Sequence, residues 1–203
     1  GDSLMSSDAS LKRILNEVYH MALRKKEANK KRKNSEKYAE ILRVRLGTRL
    51  PIYLPQRINC GLAEVLSEFK EKASAIGIKQ FVIQTHYESA MEITQESARA
   101  VKTLNEAGWI VTNQLVFTAA ASRRGHTAKL RKCLNDIGVL PYYTFIVKGY
   151  MENQDNFANT ARAVQEQLEE KILGRIPEEY VENIKKFPQE AENLKQNISK
   201  LRE

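Results

Sequence analysis

Residues 80–116 read QFVIQTHYESAMEITQESARAVKTLNEAGWIVTNQLV, and the punctuation of this stretch decides the fold. Gln80 to Gln84 is a short run rich in β-branched and aromatic residues that ends in polar Thr85-His86-Tyr87. Thr94 is a natural cap for a helix reaching about Ala107, Gly108 stops it, and Trp109 to Val116 gives another strand. A strand, a helix of ten or more residues and a second strand make the βαβ unit of a parallel sheet.

The same unit recurs on both sides. Upstream, Ile41 to Leu46 alternates apolar and basic residues as a strand does, closes at Gly47-Thr48-Arg49, and is followed by a helical stretch from Gly61 to Ala75. Downstream, a helix from Thr127 to Ile137 ends at Gly138 and leads into Leu140 to Val147, again strand-like. Ahead of all this, the spacing of Leu11, Ile14, Leu15, Val18, Met21 and Leu23 predicts a helix from Ser7 to about Tyr38. Beyond Gly149 helix formers dominate, with one helix expected over Phe157–Leu173 and another from Pro177, broken at Pro188. The expected class is α/β: a partial (β/α) barrel with about four parallel strands and extra C-terminal helices. Residues 1–150 form the barrel segment and 151–203 the helical extension. The abrupt start at Gly1-Asp2 and the uncapped end at Leu201-Arg202-Glu203 suggest an excerpt from a larger barrel.

Composition narrows the function. The 203 residues are 42% hydrophobic and 29% charged, ordinary for a soluble domain. No apolar run is long enough for a membrane helix and no signal core opens the chain, so a cytoplasmic location and no membrane partner are expected. Cys60 and Cys133 stand far apart without partners at metal-ligand spacing; both are expected as core thiols, and no metal site is expected from them. The formal charge is +8, but Arg24–Lys33 alone holds seven basic residues and one acidic. That run lacks interleaved aromatics to stack bases. It reads as a solvated, mobile helix extension, and nucleic acid is not the expected partner.

Polar residues gather where the strands end: Arg49 after the first, His86 after the second, Asn113 and Gln114 within the third, and Lys148 after the fourth. In α/β sheets functional groups lie beyond the carboxyl ends of the strands, so together these residues mark the active edge. Singly, each has a plainer reading, a satisfied histidine or an Asn-Gln pair that ends strand pairing. No Ser/His/Asp order, glycine-rich phosphate loop or His-x-x-x-His pair can be assembled, and His20 and Gly125-His126 read as a helix-face residue and a turn.

Taken in order, Gly1-Asp2-Ser3-Leu4, Arg45-Leu-Gly-Thr-Arg49 with Leu50-Pro51, Leu54-Pro-Gln-Arg57-Ile58, Thr85-His86-Tyr87, Glu92-Ile-Thr94, Ala107-Gly108, Asn113-Gln114-x-Val116 and Pro141-Tyr142-Tyr143 form a series. The series resembles the lysine 2,3-aminomutase family of radical S-adenosylmethionine enzymes from Gly1 to about Tyr143. The resemblance implies the later strands of a barrel whose cluster-binding Cys-x-x-x-Cys-x-x-Cys motif lies upstream. S-Adenosylmethionine and a 4Fe-4S cluster are the implied cofactors of the parent protein. Its implied activity is amino-group migration on a small amino-acid-like substrate, and the isolated chain is expected to be inactive. The alternative is a non-catalytic α/β binding or scaffold module.

Residue by residue, the resemblance implies that Gly1-Asp2 closes the glycine-rich motif facing the methionine amine. It places His86 near the adenosyl group and Gln114, beside Asn113, at the cofactor's polar end. Arg49 and Arg57 lie in matched segments and serve an anion or a structural ion pair. Two departures bear on the substrate. Where lysine-specific enzymes place an aspartate after Pro-Tyr-Tyr, this chain has Lys148, which repels a second ammonium and points to an acidic substrate or a lost activity. After Lys171 there is no counterpart of the segment carrying the pyridoxal phosphate lysine, so that cofactor is possible in the family but unsupported here. The open barrel edge and an apolar face left by missing strands predict a homodimer.

Overall fold

The computed structural model describes residues 2–146, 150–153 and 155–173, with isolated positions 186, 189 and 193 beyond them. The expectations for Gly1, for Lys148 and for a helix from Pro177 lie outside the described residues.

Four strands, β1 (Arg43–Gly47), β2 (Gln80–Thr85), β3 (Ile110–Val116) and β4 (Leu140–Phe145), form one sheet in the order β1-β2-β3-β4. Every neighbouring pair is parallel, with Leu46 beside Ile83 and Ile83 beside Val111. The helices are α1 (Asp8–Asn29), the single turn α2 (Leu50–Tyr53), α3 (Cys60–Ala75), α4 (Gln95–Glu106), α5 (His126–Asp136), the short α6 (Tyr150–Asn153) and α7 (Thr160–Leu173). An all-parallel α/β sheet with one crossover helix per strand pair is what the alternating pattern implies, and it is consistent with an arc of a (β/α) barrel.

Local chemistry sets the boundaries. Side-chain oxygens of Ser7, Asn59 and Thr94 accept backbone N–H bonds from Ser10, Leu62 and Ser97, capping α1, α3 and α4. Gly108, at φ +81°, ends α4 in the left-handed conformation that a side chain resists. The β3–β4 register slips between Asn113 and Gln114, so that Asn113 faces Pro141 while Gln114 faces Tyr143. Pro141 has no N–H to give a ladder, and an irregularity on a terminal strand is where a sheet tolerates one.

Side chains alternate between two unlike faces. Val44, Phe81, Ile83, Val111 and Leu115 are buried under the helices, where they meet Leu62, Leu66, Leu104, Leu130 and Leu134. Trp109 anchors this layer. Its ring stacks on Phe69 with centroids 6.2 Å apart and meets Phe81 edge-on at 5.5 Å, while its Nε1–H donates to the Leu66 carbonyl. The other face carries Arg43, Arg45, Gln80, Gln84 and Gln114 over β1 to β3, and exposed Ile110 and Leu140 lower down. That face is therefore largely polar over its first three strands apart from Ile110, and exposed apolar side chains gather on β4 at Leu140, Tyr142, Tyr143 and Phe145.

Two expectations need correction. The first helix stops at Asn29, nine residues before Tyr38, because the buried Asn29 side chain brackets the returning chain: it accepts from Tyr38 N–H and donates to the Tyr38 carbonyl and to Glu40. The basic run is held by this return. Lys25 donates to the Ala39 carbonyl, Lys26 to the Ile76 carbonyl, and the Arg32 guanidinium lies 4.1 Å from the Tyr38 ring centroid. Second, Cys60 is not a core thiol but an exposed residue opening α3, while Cys133 is half-buried on α5.

Past β4, Phe157 bridges Thr118 in antiparallel fashion, and α7 packs on α5 through buried Ala163 and Glu166. The Glu166 carboxylate accepts from Thr127 N–H at the start of α5 and pairs with Arg162, 2.5 Å away. A carboxylate at a helix N-terminus is favoured by the unsatisfied N–H groups there.

Candidate functional site

Residues two apart on a strand share a face, so Arg45 and Gly47 on β1, Gln84 on β2 and Gln114 on β3 all point to the polar face, and His86 follows one residue past the end of β2. At the carboxyl ends of β1 to β3 these residues, with Asp2, Thr48, Arg49, Tyr53 and Thr85, line an open cavity of about 660 Å³. A volume in this range suits a cofactor or a small substrate.

Its walls are of several kinds. The Gln84 Nε2–H donates to Gln114 Oε1 at 2.7 Å, fixing both amides and leaving the Gln84 oxygen and the Gln114 nitrogen for a ligand. His86 is half-buried, and its Nε2 makes no hydrogen bond, although Glu88 Oε1 lies 3.2 Å away. Burial holds the imidazole pKa below its usual value, the neighbouring Arg49 guanidinium adds to that, and Glu88 and Glu92 only partly oppose it. A neutral ring near a carboxylate without hydrogen-bond geometry is not an ion pair, and the buried Nε2 keeps an unmet hydrogen-bonding capacity beside the cavity. Arg49 is held loosely: its guanidinium carbon sits 4.4 Å from the Tyr53 ring centroid and Nη2 lies 4.0 Å from Glu92 Oε1. Its Nε is buried and makes no hydrogen bond.

Other expected site residues do different work. The Asp2 carboxylate lies at the cavity wall, but Oδ1 accepts from Leu4 N–H and Oδ2 from the Thr48 hydroxyl and Arg49 N–H. It ties the entering chain to the end of β1, where Ser3 N–H also donates to the Gly47 carbonyl. Asn113 faces the helices and is buried there: Oδ1 accepts from Tyr87 N–H at 2.6 Å and from the Thr85 hydroxyl, and Nδ2 donates to the Tyr87 carbonyl at 3.0 Å. It thus fixes the chain just after His86. Tyr87 is itself sealed in, its hydroxyl on Ser97, and burial pushes its phenol up to about 12. Arg57 stands away from the cavity, donating to the Ser6 carbonyl and to Asp8 at 2.6 Å.

The structure therefore brings Asp2, Arg49, His86 and Gln114 to one cavity, and turns Asn113 and Arg57 elsewhere. Sequence reasoning passed over Arg45, Gly47 and Gln84, and period two was the signal that would have found them: Gly47 and Gln84 stand two residues before Arg49 and His86, and Arg45 stands four before Arg49. Among the described residues no group of three His, Cys, Asp or Glu side chains is placed to hold a metal ion.

No protein-family model matches the chain. Individual relatives do. An uncharacterized KamA family protein of Methanocaldococcus jannaschii is 36% identical over 173 residues, a match covering 85% of this chain and 24% of that protein. The L-lysine 2,3-aminomutase of Methanococcus maripaludis is 32% identical over 146 residues, 71% of this chain and 28% of that enzyme. That of Bacillus subtilis is 30% identical over 148 residues, covering 71% and 26%. The chain thus spans about a quarter of the length of these relatives.

Proposed function

This chain is a KamA-like relative of the lysine 2,3-aminomutases, and on that premise we propose that its cavity is the S-adenosylmethionine-facing wall of an aminomutase-like radical enzyme. The observation that carries this reading is the buried, unbonded Nε2 of His86 beside the pinned amides of Gln84 and Gln114, at the carboxyl ends of parallel strands. Buried polar atoms without partners are rare in folded proteins and call for a ligand or a water.

The donors fit a nucleoside-bearing cofactor. A neutral imidazole offers one donor and one acceptor and packs flat against a purine or ribose, and the free Gln114 amide nitrogen donates to a carbonyl or carboxylate oxygen. S-Adenosylmethionine, when bound, supplies the adenosyl group with which such enzymes abstract hydrogen. The chain's own part is to orient that group, with Asn113 fixing the backbone after His86 and Asp2 closing the end of β1. The described residues do not fit a 4Fe-4S cluster: Cys60 and Cys133 lie on the outer helices α3 and α5, so no step is assigned to a cluster held by this chain. For the same reason we assign the chain a share of an active site and no turnover of its own. No helix among the described residues is long and apolar enough to cross a membrane.

Isothermal titration of the chain with S-adenosylmethionine tests the reading. Saturable binding, weakened roughly tenfold or more by Gln114→Ala or His86→Ala, is expected. No binding at millimolar ligand, or binding indifferent to both substitutions, refutes it.

A further inference from the structure

We propose that the loop joining α1 to β1, residues 30–38, is a docking surface for a single strand of nucleic acid, with Lys31, Lys33 and Lys37 on phosphates and Tyr38 stacked on a base. The loop precedes the amino end of β1, whereas the cavity opens at the carboxyl ends of the strands, and the inference does not rest on the cofactor reading.

The charge is concentrated here. Residues 24–38 hold eight basic and two acidic side chains, which accounts for most of the chain's formal charge of +8. Two features come from the fold and not from the basic run by itself. The first is confinement. Asn29 accepts from the Tyr38 N–H and donates to the Tyr38 carbonyl, which closes the loop at its base, and Arg32 donates to the Glu36 carbonyl across it. With eight residues between the clamped ends, no Cα of the loop stands farther than roughly 15 Å from the clamp. Residues 30–40 are all exposed, and the side chains of Lys31, Lys33 and Lys37 meet no hydrogen-bonding or ion-pairing partner among the described residues. Lys30 pairs with Glu27 at 2.8 Å, an exposed contact that holds little. The second feature is an aromatic ring among the cations. The Arg32 guanidinium lies 4.1 Å from the Tyr38 ring centroid and its Nη2–H donates to the Tyr38 hydroxyl at 2.7 Å, while Tyr38 stays 47% exposed. A ring fixed by a planar cation and open to solvent is a platform for an unpaired base.

Other anionic partners fit less well. Protein interfaces are depleted in lysine, and four of the five cations in residues 30–37 are lysines. Stable attachment to an anionic bilayer takes an apolar anchor besides a basic segment, and residues 30–37 contain no apolar side chain. Phosphates accept lysine as a point charge and reward clustered cations through counterion release.

Fluorescence anisotropy of the intact chain with a labelled oligothymidylate of about twelve nucleotides, and with an abasic strand of the same length, tests the proposal. Binding with a Kd of about 1 to 100 μM at about 50 mM salt is expected, and the logarithm of affinity should fall against that of salt with a slope of about −2 or steeper. The triple variant Lys31→Gln/Lys33→Gln/Lys37→Gln should bind at least about tenfold more weakly and with a flatter slope. A control losing the same charge from exposed lysines on α4 and α5, Lys102→Gln/Lys129→Gln/Lys132→Gln, should bind within about twofold of the parent. Tyr38→Leu should weaken oligothymidylate roughly fivefold and leave the abasic strand unchanged, with Tyr38→Phe close to the parent. Thermal melting by circular dichroism checks that each variant is folded. Absence of binding at low salt, or an equal loss in the control triple, overturns the surface. Anionic vesicles or polyglutamate bound as tightly as the strand, with the same dependence on the three lysines, overturn the nucleic-acid assignment, and an equal effect of Tyr38→Leu on both strands overturns the stacking role. S-Adenosylmethionine binding by the loop triple should match the parent, so failure of either reading leaves the other standing.

Discussion

Replacing Asn113 by alanine separates a structural role from a ligand-binding one. Its side chain supplies the hydrogen bonds recorded for the backbone N–H and carbonyl of Tyr87, a fully buried residue, and it also accepts from Thr85. Truncation orphans a buried donor and a buried acceptor, each costing about 1 to 3 kcal/mol, whereas the Thr85 hydroxyl keeps its bond to the Thr112 carbonyl. The expected loss is about 3 to 5 kcal/mol, a large share of a typical domain's stability. Trp109, the chain's one tryptophan, is buried against Phe69 and reports unfolding by fluorescence in a urea titration. The melting temperature should fall by about 10 °C or more. Gln114→Ala, at the next residue, removes only the bond to Gln84 and should cost less than about 1 kcal/mol. If Asn113→Ala melts within about 1 kcal/mol of the parent yet loses S-adenosylmethionine, the clamp argument is wrong and Asn113 belongs with the ligand.

Two further outcomes follow from the same geometry. The folded chain holds the His86 imidazole below its usual value of about 6.5, so the native state takes up a proton less readily than the unfolded chain. Stability is therefore undiminished above about 6.5 and declines as pH falls from there through the folded pKa; His86→Gln should flatten that part of a melting-temperature profile, and an unchanged slope would count against the buried neutral ring. We also propose that the chain self-associates through β4, whose outer edge has no partner strand among the described residues and whose Leu140, Tyr142, Tyr143 and Phe145 are exposed. Sedimentation should show concentration-dependent dimers that Tyr142→Lys weakens, and a monomer at high concentration contradicts this.

Much of the fold was legible because strong local signals agreed. Gly108 and Gly138 stand in left-handed turns between helix and strand, Thr94 caps as its position suggests, and the strands expected over 80–84 and 109–116 appear at Gln80–Thr85 and Ile110–Val116. What escaped depended on contacts distant in sequence. Nothing near Asn29 announces that its amide will catch Tyr38 and end a helix early, and propensity favoured continuing it. The candidate site was half legible for the same reason. Strand-end position located Arg49, His86 and Gln114, but whether a side chain faces the cavity or the helices turns on register, and a single step along β3 separates buried, clamped Asn113 from Gln114. Arg57, whose motif left it to serve an anion or a structural ion pair, takes the second role, with Asp8 on α1 2.6 Å away.

The polar face of the sheet bears on what must lie against it. Parallel sheets are ordinarily buried on both sides, and barrels of this kind fill their interiors with layers of branched apolar side chains. Here the helix-facing side follows that rule, with Val44, Ile83, Val111 and Leu115 buried, but the opposite side presents Arg45, Gln84 and Gln114 at the level where the strands end. Burying those groups under an apolar layer would strand two amides and a guanidinium, at a cost of several kcal/mol. Water or a polar ligand satisfies them without that cost. The cavity is thus explained by the choice of residues on alternate positions of three strands: the same period that builds the core on one side leaves, on the other, a chamber whose chemistry suits a charged, hydrogen-bonding guest.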